Sequence, residues 1–164
     1  MKMRSWILLL VGISTVGCAP TYQTRTYDVN VRNDCTDPVT VWLTKDGPPY
    51  ESGWLAPEDI AVESPKAPTH IISGLVIPPG KTGFTGPRKG QFEPQGSAVL
   101  RIYGGQLDFN QLLASGRDDK NRIDWKLHPG TNDLVVSGPK DAIEVNEDNT
   151  ASSPSPSGSG RGPG

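Results

Sequence analysis

Apolar and polar residues alternate along most of the chain between residues 26 and 145. In the stretch 26–32, Tyr27, Val29 and Val31 alternate with polar residues. A period of two places the apolar side chains on one face of an extended chain, so it predicts a half-buried strand. The same alternation predicts further strands at 39–45, 97–103, 122–128, 132–137 and 141–145, and a longer apolar run predicts a more fully buried strand at 70–77.

Turn-forming residues separate these stretches at fairly regular intervals. They include Asp37-Pro38, a proline-rich stretch at 46–49, Pro78-Pro79-Gly80 and a His-Pro-Gly stretch at 128–130. Short strands joined by such turns are typical of antiparallel sandwiches. The sequence therefore predicts an all-β fold, an antiparallel immunoglobulin-like β-sandwich of about seven to eight short strands with at most one short helix.

The helix candidate lies at residues 108–116. Asp108 is a residue type that caps helix N-termini, and Gly116 is suited to ending a helix. Between them, Phe109, Leu112 and Leu113 have the three-to-four-residue spacing of one helical face. We expect a short helix inserted between two strands.

The first twenty residues follow a different pattern. A basic stretch, residues 1–4, precedes an apolar run at 6–13 and the small residues Ser14–Gly17, which is the order of an export signal. The apolar run is shorter than the roughly 20 residues of a transmembrane helix. Ordinary signal cleavage after Ala19 and an uncleaved anchor are the two alternatives to the interpretation that follows.

The tetrad Thr-Val-Gly-Cys at 15–18 resembles the lipobox of bacterial lipoprotein precursors. Val16 and Gly17 fit that motif, whereas Thr15 stands where the family usually has an aliphatic residue. The resemblance implies that Cys18 is lipidated with a diacylglycerol and becomes the mature N-terminus. It also implies a protein anchored in the bacterial cell envelope, with the residue after the cysteine favouring the outer membrane, facing the periplasm or the exterior.

These patterns divide the chain into four parts. We assign a signal peptide to 1–17, a tether to 18–25, the β-sandwich domain to 26–145 and a disordered tail to 146–164. The tail is rich in Ser, Pro and Gly and contains no large apolar residue, so it cannot bury enough surface to offset the entropy of ordering.

Charge and cysteine content narrow the classes of function. The chain has 16 basic and 18 acidic residues. Removal of Lys2 and Arg4 with the signal peptide changes the formal net charge from −2 to −4. This charge argues against nucleic-acid binding, which needs a basic surface. If Cys18 is acylated, Cys35 has no partner for an internal disulfide; under ordinary secretion a bridge between the two is possible.

No stretch of the sequence matches a known catalytic or metal-binding pattern. The segment 74–82 resembles a phosphate loop, but it has five residues between its glycines and two prolines that lack N–H groups. His70 and His128 are isolated from each other and from Cys35. We therefore predict no enzyme activity, no metal and no cofactor.

Aromatic residues supply the binding-site candidates. Tyr50 and Trp54 lie in the long proline-rich segment 46–69, and Trp42 lies out of phase with the apolar face of its strand. Flat rings with a polar group suit sugar or protein binding. The alternative is that Trp54 packs the segment onto the sheet as part of the core, which is the more common fate of a large aromatic side chain.

The sequence thus favours a lipid-anchored, non-catalytic envelope domain that binds a protein or a polysaccharide. Two alternatives stay open: a structural or assembly subunit of an envelope complex, and a secreted enzyme with an unrecognised site. Surface aromatic residues on one face would favour the binding domain. A cleft with convergent carboxylates would favour the enzyme, and a large flat apolar patch would favour the subunit.

Overall fold

The structure, a computed structural model, describes residues 21–63, 74–115 and 119–148. Two of the sequence-based assignments, the signal peptide and lipidation at Cys18, lie outside the described residues. So do all but the last five residues of the tether and all but the first three residues of the tail.

Eight strands make up about half of the described chain. They are β1 (Gln23–Asn33), β2 (Val39–Lys45), β3 (Leu75–Ile77), β4 (Thr82–Phe92), β5 (Ala98–Gly104), β6 (Arg122–Lys126), β7 (Gly130–Ser137) and β8 (Glu144–Glu147). Two short α-helices, α1 (Pro57–Glu63) and α2 (Phe109–Ala114), and one turn of 3-10 helix at Ser52–Trp54 join them. The prediction of a mostly β protein is confirmed.

The strands form two four-stranded sheets. Sheet A has the order β4-β1-β7-β8, and sheet B has the order β3-β2-β5-β6. Neighbouring strands are antiparallel, except that β1 and β7 run parallel. The expectation of a purely antiparallel arrangement is therefore wrong at this one pair.

The main core lies between the two sheets. The inward residues of β1, Tyr27, Val29 and Val31, are at most 1% exposed, and they share one apolar cluster with Leu100 and Ile102 of β5. Because side chains alternate between the two faces of a strand, this burial confirms the faces predicted from the two-residue period.

Strand β4 was not predicted, because its inward positions carry few apolar side chains. Glycines occupy two of those positions, and side chains from other strands fill the space above them. A Cβ atom at Gly83 would lie 2.6 Å from Ile77, and one at Gly90 would lie 2.5 Å from the Trp54 indole nitrogen. The stretch 82–92, where the sequence predicted no strand, is thus an eleven-residue strand.

Two other boundaries differ from the sequence-based ones. Strand β1 begins at Gln23, within the segment assigned to the tether, and β8 continues to Glu147. Of the predicted strand 70–77, the structure describes only the last four residues. Strand β3 covers Leu75–Ile77 and forms an edge of sheet B, with Leu75 39% exposed.

Helix α2 is the predicted helix. Asp108 accepts a hydrogen bond from the backbone N–H of Gln111, and the Gln111 side chain accepts one from the N–H of Asp108. This reciprocal pair is a capping box, which satisfies two N–H groups at the helix start.

Helix α1 contradicts the prediction of at most one helix. It begins at Pro57, whose fixed φ suits the first helical position, and its first turn carries Glu58 and Asp59, which complement the helix dipole. These start signals are present in the sequence, but the density of prolines in 46–69 led us to interpret the whole segment as a loop.

Candidate functional site

Trp54, the central residue of the predicted binding surface, lies in the main core. It is 3% exposed, and its ring centroid is 6.0 Å from that of Tyr27 and 5.3 Å from that of Phe92. The indole N–H donates to the carbonyl of Lys89 at 3.2 Å. The burial matches the alternative interpretation of Trp54 as a core side chain, so its ring is not available to a partner.

Trp54 lies beside the edge of sheet B at the point where β3 ends. Strand β3 pairs only with the first three residues of β2, and in the described part of the chain no strand pairs with the second half of β2 on that side. The 3-10 turn occupies this gap. Thr44 of β2 donates its hydroxyl to the Trp54 carbonyl at 2.6 Å. On the neighbouring edge, Arg88 of β4 lies 5.6 Å from the Trp54 ring and donates to the Gly53 carbonyl.

An ion pair between a buried lysine and a partly exposed glutamate holds the beginning of the same segment. The Lys45 side chain is 2% exposed, and its Nζ lies 2.8 Å from a carboxylate oxygen of Glu51 and 2.6 Å from the Gln91 carbonyl. Glu51 also accepts the Gln91 N–H at 3.1 Å. Because a buried ammonium group is costly without partners, these contacts fix residues 46–51 against the end of β4.

The other two predicted binding residues lie in different places. Tyr50 is 73% exposed. Trp42 is half-buried on the outer face of sheet B, where its indole N–H donates to the Leu55 carbonyl at 3.1 Å and its ring packs on Phe109 at 6.3 Å. The three side chains therefore do not form one exposed surface, and Tyr50 alone is available for contact.

The outer face of sheet B is covered by the two helices. Leu55, Ala56, Phe109 and Leu112 are buried there with Val99 and Tyr103 of β5, apart from the main core. The Thr40 hydroxyl donates to the Gly105 carbonyl and accepts from the Leu107 N–H. These contacts make the helices a third layer of the domain.

An ion pair fastens α1 to this face. Arg101 of β5 is 5% exposed, and its Nη1 lies 2.7 Å and 2.9 Å from the two carboxylate oxygens of Glu58. Burial by itself would raise the pKa of Glu58, but a backbone hydrogen bond and the Arg101 guanidinium outweigh it and hold that pKa below its ordinary value. Burial also raises the pKa of the neighbouring Tyr103 hydroxyl, against the opposing effect of Arg122 and Arg101.

The outer face of sheet A, in contrast, is covered by no element in the described part of the chain. Paired residues of neighbouring strands share a face, so the register defines rows of side chains across it. One row contains Phe84, Asn30 and Asp133; the next contains Thr82, Arg32, Val135 and Asn146; and Thr26 pairs with Lys89 further along β1. We call this surface the open face.

Most of its side chains are polar, and several of them are held by hydrogen bonds or ion pairs. One exposed aromatic ring lies among them. Phe84 is 56% exposed. Asn30 donates to Asp133 at 2.7 Å, and Arg32 lies between Asp34 at 3.1 Å and Asp148 at 2.5 Å. Phe84 was not among the candidates, because the sequence predicted no strand around it. Its signal in the sequence is a large aromatic residue between two small ones, Gly83 and Thr85.

A small pocket lies at one end of the sandwich. It has a volume of about 190 Å³ and is lined by residues that include Asp46, Ser97, Asp124 and Lys126. Ligand sites for small molecules are commonly about 300–1,000 Å³, so this pocket is small for a substrate. Within residues 21–63, 74–115 and 119–148, no three His, Cys, Asp or Glu side chains are grouped as metal ligands.

Cys35 lies at the far end of β1 with its thiol buried. It is 6% exposed, and its N–H donates to the Asn33 side chain at 2.9 Å. Burial raises the pKa of the Cys35 thiol, and the nearby charges of Asp34 and Asp37 raise it further. The thiol is therefore a poor nucleophile at neutral pH, since the thiolate is the reactive form.

No protein-family model, no curated protein and no solved structure matches the chain. No helix in the described part of the chain is long and apolar enough to cross a bilayer.

Proposed function

We propose that the protein is a lipid-anchored, non-catalytic domain of the bacterial cell envelope, and that its open face binds a polysaccharide. The observation that carries the proposal is the contrast between the two outer faces of the sandwich. Helices cover that of sheet B, whereas that of sheet A presents Phe84 beside rows of polar side chains.

The shape and chemistry of the open face favour a sugar polymer over a protein. Adjacent strands are about 4.8 Å apart, so a row across four strands spans about 14 Å and forms a shallow platform. An exposed ring can pack on the apolar face of a sugar, while Asn30, Arg32 and Thr26 offer hydrogen bonds to hydroxyl groups. A protein partner, the other occupant expected from the sequence, would need a more apolar centre than this face provides.

The described surface gives less support to a structural subunit. Its exposed large apolar side chains are dispersed over different elements of the fold: Tyr22, Tyr50, Val62, Leu75, Phe84 and Leu113. A subunit buried in an obligate complex needs a contiguous apolar patch. The small size of the pocket near Asp46 likewise gives little support to an enzyme.

Two observations support the proposed lipid anchor: the lipobox-like tetrad and the short distance that the tether can span. Cys18 precedes Gln23 by five residues, which span at most about 18 Å. Strand β1 extends over ten steps of about 3.3 Å, or about 33 Å, from Gln23 to Asn33. The difference, about 15 Å, is more than twice the usual Cα–Cα distance of a disulfide. A bridge between Cys18 and Cys35, which follows Asn33, is therefore disfavoured, and Cys18 stays free for acylation.

The immunoglobulin-like form of the sandwich belongs to the same proposal. Two four-stranded sheets packed around one core, in a domain of about 120 residues, agree with it. The test of this form is the order in which the chain passes between the two sheets, compared with the order in immunoglobulin-like domains.

The anchor is tested by Cys18→Ser in the full-length precursor. We expect the variant to move from the membrane fraction to the soluble fraction, because the acyl chains would be its main attachment. Ala19→Ser, next to the cysteine, is the matched control and should stay with the membrane. Membrane association of Cys18→Ser equal to that of the wild type would contradict acylation at this residue.

The binding surface is tested by co-sedimentation of the Cys18→Ser protein with purified, insoluble envelope polysaccharide. Phe84→Ala should weaken binding by at least tenfold, as expected when an aromatic hot spot is removed. Tyr50→Ala removes an even more exposed aromatic side chain outside the open face and should bind like the parent. Equal losses in both variants, or none in either, would contradict a site on this face.

A further inference from the structure

The two ends of the sandwich differ in their distance from Cys18. The end where β1 starts, which we call the Gln23 end, also contains the end of β4, since Gln23 pairs with Phe92. The end of β2 lies there too, because Lys45 contacts Gln91. The opposite end, which we call the Asn33 end, contains Cys35 and the turn at Lys81, whose carbonyl accepts the Asn33 N–H.

The tether is too short to let the Asn33 end approach the lipid as easily as the Gln23 end. Its five steps reach at most about 18 Å from Gln23, whereas the Asn33 end lies about 33 Å away along β1. A lipid attached at Cys18 therefore keeps the Gln23 end near the bilayer surface.

Two exposed tyrosines lie at this same end. Tyr22, which directly precedes β1, is 37% exposed, and Tyr50 is 73% exposed. Tyr50 adjoins Glu51, whose carboxylate is held by Lys45 and by the Gln91 N–H, so the Tyr50 backbone is fixed beside the end of β4. Tyrosine is enriched where membrane and water meet, because its ring is apolar and its hydroxyl is polar.

The exposed charges of the Gln23 end indicate which lipid surface it suits. Asp46 and Glu93 are exposed there, together with Lys126, which pairs with Val99 near the start of β5. This mixture lacks the basic cluster that attracts a protein to anionic lipids. The end is suited to a zwitterionic headgroup region, with contact made by aromatic rings.

We propose that the Gln23 end of the sandwich lies on the surface of a zwitterionic bilayer, with Tyr22 and Tyr50 in the headgroup region. The proposal rests on the lipid anchor at Cys18. In this orientation β1 runs away from the membrane, so the open face stands upright and the Asn33 end is farthest from the lipid. A polymer lying beyond the membrane surface can then reach Phe84 without displacing lipid.

The test uses the lipidated, mature full-length protein in phosphatidylcholine vesicles whose headgroups carry a nitroxide quencher. Tyr50→Trp places a reporter indole at the Gln23 end, and Lys81→Trp places one at the Asn33 end as the matched control. Both sites are exposed, so both variants should fold like the wild type. The native tryptophans are common to both proteins, and their signal is subtracted with the unsubstituted protein.

We expect the added emission of Tyr50→Trp to lose most of its intensity on labelled vesicles, and that of Lys81→Trp to be unchanged. Equal quenching of the two reporters, or quenching of neither, in protein that floats with the vesicles would overturn the orientation while leaving the anchor intact. Failure of the protein to float with vesicles, in the same way as its Cys18→Ser variant, would instead count against the lipid anchor itself.

Discussion

The two outer faces of the sandwich have different surroundings. Both consist of the alternate positions of strands whose other positions face the core, and both include polar side chains. On sheet B the face contains Thr40, Trp42 and Arg101, and helices bury it; on sheet A it contains Asn30, Arg32 and Asp133, and it stays open. The alternation of a strand therefore specifies which side chains point away from the core, but not what they meet there.

The difference between the two outer faces arises from the segments that connect the strands. The connection from β2 to β3 contains the 3-10 turn and α1, and the connection from β5 to β6 contains α2; both belong to sheet B. Sheet A is built from strands whose described connections carry no helix. A surface of ordered polar side chains that the fold leaves uncovered is a natural place for recognition, because it needs no rearrangement to meet a partner.

The largest expected effect on stability comes from Trp54, which fills the core beside the helix-covered side of sheet B. Trp54→Ala should lower the free energy of unfolding by about 3–5 kcal/mol, because it empties a core position and leaves the Ser52–Trp54 turn without its anchor. Urea denaturation measures the change. The comparable substitution of an exposed ring, Tyr50→Ala, should change it by about 0.5 kcal/mol or less. A small effect for Trp54→Ala would contradict its place in the core.

The next effect concerns the ion pair that fastens α1. Glu58→Gln should cost about 2 kcal/mol, because it leaves the buried Arg101 without a charged partner. Glu58 remains partly exposed, so the loss should be smaller than for a fully buried pair. Asp59→Asn, one residue further in the same helical turn, is the matched control, and unfolding curves at neutral pH give both values.

The same ion pair makes a prediction about pH. Because the pKa of Glu58 is lower in the folded protein than its ordinary value of 4.5, the folded state favours the ionised carboxylate. Its contribution is therefore fully present above about pH 4.5 and is lost as the pH falls through the folded-state pKa. The wild type should lose more stability than Glu58→Gln between pH 6 and pH 3. Parallel stability curves for the two proteins would show that the carboxylate is not coupled to Arg101.

A smaller effect is expected at the start of α2. Asp108→Ala removes the capping box and should cost about 1 kcal/mol. Asp108→Asn keeps an oxygen that can accept the Gln111 N–H, so it should restore most of the loss. If Asp108→Ala leaves the stability unchanged, the cap contributes little and packing of Phe109 and Leu112 holds the helix.

The smallest effect on stability should come from the open face. Phe84→Ala should change the free energy of unfolding by no more than about 0.5 kcal/mol, since the ring is 56% exposed. Thermal denaturation checks this. A loss of several kcal/mol would mean that Phe84 is a structural residue, and the binding role proposed for it would then have to be abandoned.

Local patterns in the sequence were enough for most of the strands and for α2. The predicted strand at 39–45 coincides with β2, and the predicted cap at Asp108 forms a capping box. The reason is that alternation and capping depend on residues within a few positions of each other. The candidate site could not be obtained in this way, since the burial of Trp54 depends on its contacts with Tyr27 of β1 and Phe92 of β4.

The sequence by itself determined the β class of the domain, the inward faces of its strands and the position of its capped helix, because these depend on short-range periodicity and on residue type. Only the tertiary structure decided that β4 is a strand, that Trp54 closes the core and that helices cover one sheet and leave the other open. At Gly83 and Gly90 the apolar side chains that fill the space come from Ile77 and Trp54. The inward pattern of β4 is therefore completed by side chains of other elements, β3 and the 3-10 turn, which the alternation within β4 itself cannot show.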